Sequence, residues 1–392
     1  MKEINNKIGS ILENNLISNL IIIFLGIISS FTISVSIFII SNKDAFIFRN
    51  IFFSYSNIFY FFSLSLIFYI NKNFNLKNIL IIFLLFTFIF IVSLSTDFLT
   101  SIFSMHNPNM QIYIIKYVFS ALIFFIIMAL SYNGFEVINS KSISEFFTFF
   151  ADILIFSGLI VFLLSVIFVI FIAIVMFFIH IDYAYQEIIL KLIITVCSFI
   201  SALFPFLVYI IYKKIKTNIS IYLSRILMPF SLLFIFILLI FLLMPDIRPY
   251  NNRVVFMLYN IMLAIIVLNL LFVRADYKSG IFTKALYIVL PIITILFDVL
   301  VLTSSLYRLI EYGISPNKIT LIGTNLIMLG NLIFITFFNI KSVLIVFKKT
   351  DNIPDIKEIT IGDTKSMLYI YVYGIWAFIV CFIMPPLIVQ CI

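Results

Sequence analysis

One carboxylate stands where a carboxylate is costly. Asp298 lies in Leu296-Phe297-Asp298-Val299-Leu300, well inside a long apolar run. Its stem is too short to carry the charge to a membrane surface. A carboxylate so placed needs a partner, a proton or water brought to it. The candidate partners are Lys116, Lys191 and Asn325. Such a set could carry proton or cation coupling along a polar path; the competing readings are a plain structural pair and an interfacial position.

The remaining charges inside apolar runs have cheaper explanations. Lys116, Lys191, Arg225 and Lys284 fall within about a turn of a run's end, where a long stem snorkels to the headgroups. Asp152 opens another run, where an acidic residue complements the helix dipole. The two histidines, His106 and His180, are expected on the same side of a membrane as Asp97, Asp182 and Glu187. His180-Ile181-Asp182 has the residue types of a metal or pH-sensing site but lacks a third ligand, so no metal is expected. His106, His180, Asp182 and Glu311 form the best acidic and histidine set for transferase chemistry. Three scattered cysteines give no disulfide framework. Phosphate-binding, zincin and nucleophile-elbow patterns are absent. No cofactor is implied.

The elements that must position these groups follow from composition. Of 392 residues, 64% are hydrophobic and 11% charged, against roughly 45–50% and about 25% in soluble domains. No soluble fold hides so much apolar surface, which excludes soluble enzymes, nucleic-acid-binding domains and disordered chains. A spanning helix takes about 20 apolar residues. About eleven runs qualify, with a range of 10–12, at 16–41, 51–70, 79–96, 112–132, 151–180, 188–212, 221–244, 254–273, 281–302, 318–340 and 367–389. They are long and continuous, without the alternation of a membrane barrel. The expected fold is an all-α polytopic bundle, one integral membrane domain over 1–392.

The net charge of +8 is read as topogenic, not as a nucleic-acid footprint. With strict alternation, fifteen of the 25 Lys and Arg residues gather on the side of the N-terminus and six on the other. The positive-inside rule then makes the N-terminus cytoplasmic, in the inner membrane of a cell, with anionic headgroups as partners. The 341–366 stretch is expected to be a short cytoplasmic polar loop. Residues 133–187 could hold one membrane segment or two, with Val137 to Phe150 as an interfacial helix.

The most informative local stretch is Tyr307-Arg308-Leu309-Ile310-Glu311-Tyr312-Gly313-Ile314-Ser315-Pro316-Asn317-Lys318. Gly313 suits a left-handed cap, and Ser315-Pro316 suits the start of the next helix. The ninth helix should therefore continue to about Tyr312 and turn back at once. Arg308 and Glu311 share a helix face and can pair. In the tenth span, Gly323 and Gly330 lie seven apart on one face, where another backbone could approach. Asn325 and Asn331 could bridge helices or line a polar path.

The stretch Arg308 to Lys318 resembles the R-I-x-x-Y-G-[IL]-T-x-x-R pattern of a bacterial membrane family, domain of unknown function 4153. Leu203-Phe204-Pro205-Phe206-Leu207-Val208-Tyr209-Ile210-Ile211-Tyr212-Lys213-Lys214-Ile215 is similar to that family's proline-containing span. The likeness covers about 190–345, with Ser315 in place of Thr and Lys318 in place of Arg. It implies a bacterial integral membrane protein and brings no catalytic residues.

Three functions follow from the residues, in this order. The first is a non-enzymatic membrane component, such as a sensor, an assembly factor or a partner subunit of an envelope system, with a membrane protein as its partner. The second is a proton- or ion-coupled transporter or channel-like protein using Asp298. The third is an intramembrane lipid or glycan transferase.

Overall fold

A computed structural model describes residues 15–41, 46–70, 75–103, 110–135, 140–178, 183–215, 219–241, 250, 253–273, 281–349 and 368–391. The described residues are helical, with no strand among them. In order they form α1 (Asn15–Ser41), α2 (Phe46–Ile70), α3 (Leu76–Phe103), α4 (Met110–Tyr132), α5 (Ser140–Phe178) and α6 (Tyr183–Ile215). These are followed by α7 (Ile219–Phe241), α8 (Arg253–Val273), α9 (Ile281–Tyr312), α10 (Pro316–Lys349) and α11 (Ile370–Phe378). A π-helical turn (Ile379–Ile383) then leads into α12 (Met384–Cys391). Only helices and closed barrels satisfy every backbone group inside lipid, and runs of this length and apolarity take the first course.

Among the described residues, nine helices are long and apolar enough to cross a membrane, and Tyr55–Tyr69 and Val255–Leu271 are shorter apolar stretches. Large apolar side chains face outward along them, Phe98, Phe162 and Phe282 among the most exposed. An apolar exterior wrapped around buried serines, asparagines and aspartates is the arrangement that lipid selects. The chain has the architecture of an all-α, multi-pass membrane protein.

Composition alone predicts one domain; the helices cluster into two compact units. The first comprises residues 1–137, 150–217 and 381–392, and the second comprises 138–149 and 218–380. In the first unit α1 packs against α6 and α2, α2 against α3 and α4, and α12 against α3. Gly26 permits the close approach of α1 to α6, since a Cβ there would lie 2.9 Å from the Phe206 ring. The Tyr60 hydroxyl donates to the carbonyl of Ala202 at 3.0 Å. Phe124 stacks on Phe61 and Phe86, with centroids 5.2 and 5.7 Å away.

The second unit is built on the α9–α10 hairpin, with α8 and α7 packed on α9 and α11 on α10. Its apolar core includes Tyr259, Leu263, Leu290, Phe297, Met328 and Leu332. The Tyr259 ring stacks on Phe297 at 5.1 Å, and its hydroxyl donates to the Leu238 carbonyl. Asn339 Nδ2 donates to the Tyr287 carbonyl at 3.1 Å, fixing the register of α9 against α10.

Three local expectations change. The 133–187 region holds one continuous helix over Ser140–Phe178, because no Gly or Pro interrupts the passage from its polar start into the apolar run. Asp152 therefore sits three turns inside α5, fully buried, where the Tyr212 hydroxyl reaches it at 3.4 Å; it is not a dipole-capping residue. The tenth span continues as helix to Lys349, so the polar stretch begins later than residue 341; residues 350–366 lie outside the described ones. Near the C-terminus the π turn directly precedes Pro385 and Pro386. Those prolines cannot donate to the carbonyls of Cys381 and Phe382, which breaks the regular ladder.

Candidate functional site

Two buried polar sites stand out, one in each unit. In the first unit Lys116 does not snorkel. Helix α4 begins at Met110, nearly two turns earlier, and the residue is 4% exposed. Its Nζ donates to Asp97 Oδ1 at 2.5 Å, to the Ser93 carbonyl at 3.2 Å and to Thr96 Oγ1 at 3.3 Å. An ammonium has three protons to give, and all three are placed. Asp97 Oδ2 accepts from the Tyr55 hydroxyl at 3.1 Å. Cys381 Sγ donates to the Lys116 carbonyl at 3.5 Å, and the Phe382 ring centroid is 6.0 Å from Nζ. The fully paired charges fasten α2, α3 and α4 together.

The second unit presents the opposite case. Asp298 is fully buried in α9, and neither carboxyl oxygen has a hydrogen-bond partner among the described residues. Asn269 in α8 is 3% exposed with both amide atoms unpartnered. Asn325 and Asn331 in α10 are fully buried, and the side-chain oxygen of each is unpartnered. Their nitrogens are committed: Asn325 Nδ2 donates to Asn260 Oδ1 at 2.9 Å, and Asn331 Nδ2 to the Tyr373 hydroxyl at 3.1 Å. Asn260 in turn donates its own Nδ2 to the Phe256 carbonyl at 2.8 Å, which fixes its oxygen toward Asn325. Among the described buried residues, α8, α9 and α10 thus carry five unpartnered oxygens against a single unpartnered amide nitrogen. Native interiors leave few such groups; the open atoms of Asp298, Asn325 and Asn331 are all acceptors, which suits something that donates hydrogen bonds or carries positive charge.

Of the partners considered for Asp298, Lys116 serves Asp97, Asn325 serves Asn260, and Lys191 lies half-buried in α6 of the first unit. None is bonded to Asp298. Among the described residues no group of three or more His, Cys, Asp and Glu could hold a metal. His106, His180 and Asp182 of the transferase set lie outside the described residues; Glu311 is exposed at the end of α9.

Comparison of the chain with protein-family models, with curated proteins and with solved structures finds no match. Its functional reading therefore stands on its own geometry.

The α9–α10 turn has the geometry its residues demand. Gly313 has φ 74°, and Lys318 and Ile319 donate their backbone N–H groups to the Ser315 carbonyl at 3.1 Å. Lys318 Nζ caps α9 through the carbonyls of Tyr312 and Gly313, at 2.9 and 2.6 Å. Arg308 does not pair with Glu311. It donates to the Tyr250 carbonyl at 3.4 Å and lies over the rings of Phe256 and Tyr312. At Gly323 and Gly330 the approaching groups are side chains, not backbone: Trp376 and Tyr369 of the C-terminal segment fill the space a Cβ would take. Trp376 Nε1 also donates to Thr324 Oγ1 at 3.0 Å.

Sequence reasoning singled out Asp298, Asn325 and Lys116 but missed the roles of Asp97, Tyr55, Asn260 and Asn269. The signal for the first was present. Asp97 lies six residues before the end of α3 and Lys116 six residues after the start of α4, so an antiparallel pair brings them level.

Proposed function

We propose that this multi-pass membrane protein is an ion-coupled transport protein in which Asp298 carries the coupling charge. One observation carries the reading: a fully buried carboxyl, in a helix long and apolar enough to cross a membrane, with no partner for either oxygen among the described residues. Ionisable residues inside membranes mark ion and proton paths unless they are paired. Asp97 is paired and Asp298 is not. The unpartnered side-chain oxygens of Asn325 and Asn331 on the neighbouring helix favour a polar path over an isolated structural group. This raises ion coupling above the non-enzymatic membrane component that the sequence alone placed first. The protein is proposed to act in a bacterial inner membrane among anionic headgroups, with its N-terminus in the cytoplasm.

The test is flux through the purified protein in liposomes under an imposed potential, with H⁺, Na⁺ and K⁺ each followed. Wild type should conduct or exchange at least one of these ions. Asp298→Asn should reduce that flux more than tenfold while the protein still inserts and elutes as a folded species. Normal flux in Asp298→Asn would overturn the assignment.

A further inference from the structure

We infer that the coupled ion is the proton, delivered to Asp298 by a short file of hydrogen-bonded water held between the side-chain oxygens of Asn325 and Asn331. The inference rests on the coupling role proposed for Asp298.

Height comes first. The bond from Asn339 to the Tyr287 carbonyl sets the two helices in register. Counting from it along antiparallel helices brings Asp298 level with Met328. Asn325 and Asn331 lie three residues to either side, about 4.5 Å below and above at the helical rise. The tight turn at Gly313 gives the same level to within about two residues, or roughly 3 Å. The carboxyl and the two amide oxygens therefore occupy one short stretch of depth in the second unit.

The direction of hydrogen bonding comes second. Asn325 is oriented by a chain: the Phe256 carbonyl accepts from Asn260, and Asn260 accepts from Asn325. Its oxygen is left buried and unpartnered, an acceptor. Asn331 gives its nitrogen to Tyr373 and presents its oxygen likewise. With the two oxygens of Asp298, the open atoms of these three residues are all acceptors. What fills the site must donate.

Ligand geometry then separates a metal cation from water. A metal cation of the Ca²⁺ or Mg²⁺ kind draws about six oxygens to within roughly 2.0–2.6 Å of one point, and Na⁺ or K⁺ similarly needs several oxygens to converge. Asn325 and Asn331 are six residues apart on one helix, about 9 Å in height, and their nitrogens are tied to different segments. With Asp298 they offer at most four oxygens, fewer than such an ion draws. Water needs only two to four polar partners each, and a file of two or three spans these gaps. The proton passes from the adjacent water to the Asp298 carboxylate, where an O–H bond forms. The water that gave it is reprotonated along the file, and release runs the same steps in reverse.

Among the described residues the titratable groups on the helices packed against α9 are Tyr222 and Arg225 in α7, Tyr259 in α8, whose hydroxyl is bonded to Leu238, and Lys318 and Lys341 toward the ends of α10. Tyr373 in α11 accepts from Asn331, and α9 itself carries Tyr287 and, near its end, Arg308 and Glu311. None is bonded to Asp298 among the described residues.

The test uses the full chain in liposomes and infrared difference spectroscopy of the same preparation. In choline buffer free of Na⁺, K⁺ and Li⁺, wild type should sustain full H⁺ flux. A carboxyl C=O band, absent in Asp298→Asn, should respond to pH and stay unchanged when any of the three metal ions is added at constant pH. Asn331→Leu should slow the flux more than tenfold, and Asn331→Ser, which keeps a hydroxyl for water, should recover much of it. A band displaced by Na⁺, K⁺ or Li⁺, or an Asp298-dependent flux that requires one of them, would overturn the proton and leave the coupling role standing. Normal flux in Asp298→Asn would remove the coupling role itself.

Discussion

Asp97 and Asp298 are the same side chain in the same kind of helix, and the chain treats them in opposite ways. Asp97 receives a lysine ammonium on one oxygen and a tyrosine hydroxyl on the other. Asp298 receives nothing on either from the described residues. Burial is not the difference, for Asp298 is the more deeply buried of the two, fully enclosed against an 11% exposed Asp97 side chain. The difference is supply. Helix α4 brings a cation to Asp97, whereas no described residue bonds to Asp298. A satisfied buried network rigidifies the helices that hold it. An unsatisfied one keeps a group available to change its state. The first site is therefore a fastener and the second a working site.

The contrast breaks first if Lys116 proves dispensable. Lys116→Met keeps the stem's volume but leaves the Asp97 charge with the Tyr55 hydroxyl alone. Stranding one member of a buried ion pair costs about 3–5 kcal/mol. Thermal or denaturant unfolding in mild detergent should show that loss. Adding Asp97→Leu in the same chain should recover most of it, because the uncompensated charge is then gone. If Lys116→Met were neutral, Asp97 would tolerate solitude as Asp298 does, and the two sites would differ in nothing that matters.

The opposite sign is expected in the second unit. Asp298→Val removes two unpartnered oxygens from an apolar core beside Phe297 and Val301. A buried polar group left without a protein partner costs about 1–3 kcal/mol, and bound water offsets part of that, so this variant should be more stable than wild type by up to that amount while its flux is lost. Gain of stability with loss of flux is the signature of a group kept for function. A destabilised Asp298→Val would mean that the carboxyl is structurally paired after all.

Much of this was legible before any coordinates. Each of the eleven apolar runs coincides with one of the helices α1 to α10 or the C-terminal segment, though α3, α5, α9 and α10 extend seven to eleven residues beyond their runs; length and continuity of apolar sequence decide that a helix spans, not where it ends. The turn at Gly313 was legible because a left-handed cap followed by Ser-Pro has few other meanings. Asp298 was legible as a carboxylate with nowhere to snorkel. The role of Lys116 was not, because a lysine near the end of an apolar run reads equally as a snorkelling residue, and only the true start of α4 at Met110 shows that it lies too deep. Asp152 failed for a related reason: helix boundaries set by hydropathy stop where polar residues begin, whereas α5 begins at Ser140. The small-residue stripe at Gly323 and Gly330 announced close approach without saying what approaches. That depends on the ring positions of Trp376 and Tyr369, which spacing alone does not encode.

The finest division between the two carboxylates lies in Tyr55. Tyr55→Phe keeps the ring and its edge contact with Phe90 and removes only the hydroxyl that reaches Asp97 Oδ2. The ammonium of Lys116 remains on the other oxygen, and the slight exposure of Asp97 lets solvent or headgroup atoms replace part of what is lost. The cost should be about 1 kcal/mol, read as a small downward shift in unfolding temperature with ion flux unchanged. A loss as large as that of Lys116→Met would place the tyrosine, not the lysine, at the centre of the first site. A loss of flux would show that the fastener is coupled to transport, and the separation of the two carboxylates into structural and functional roles would no longer hold.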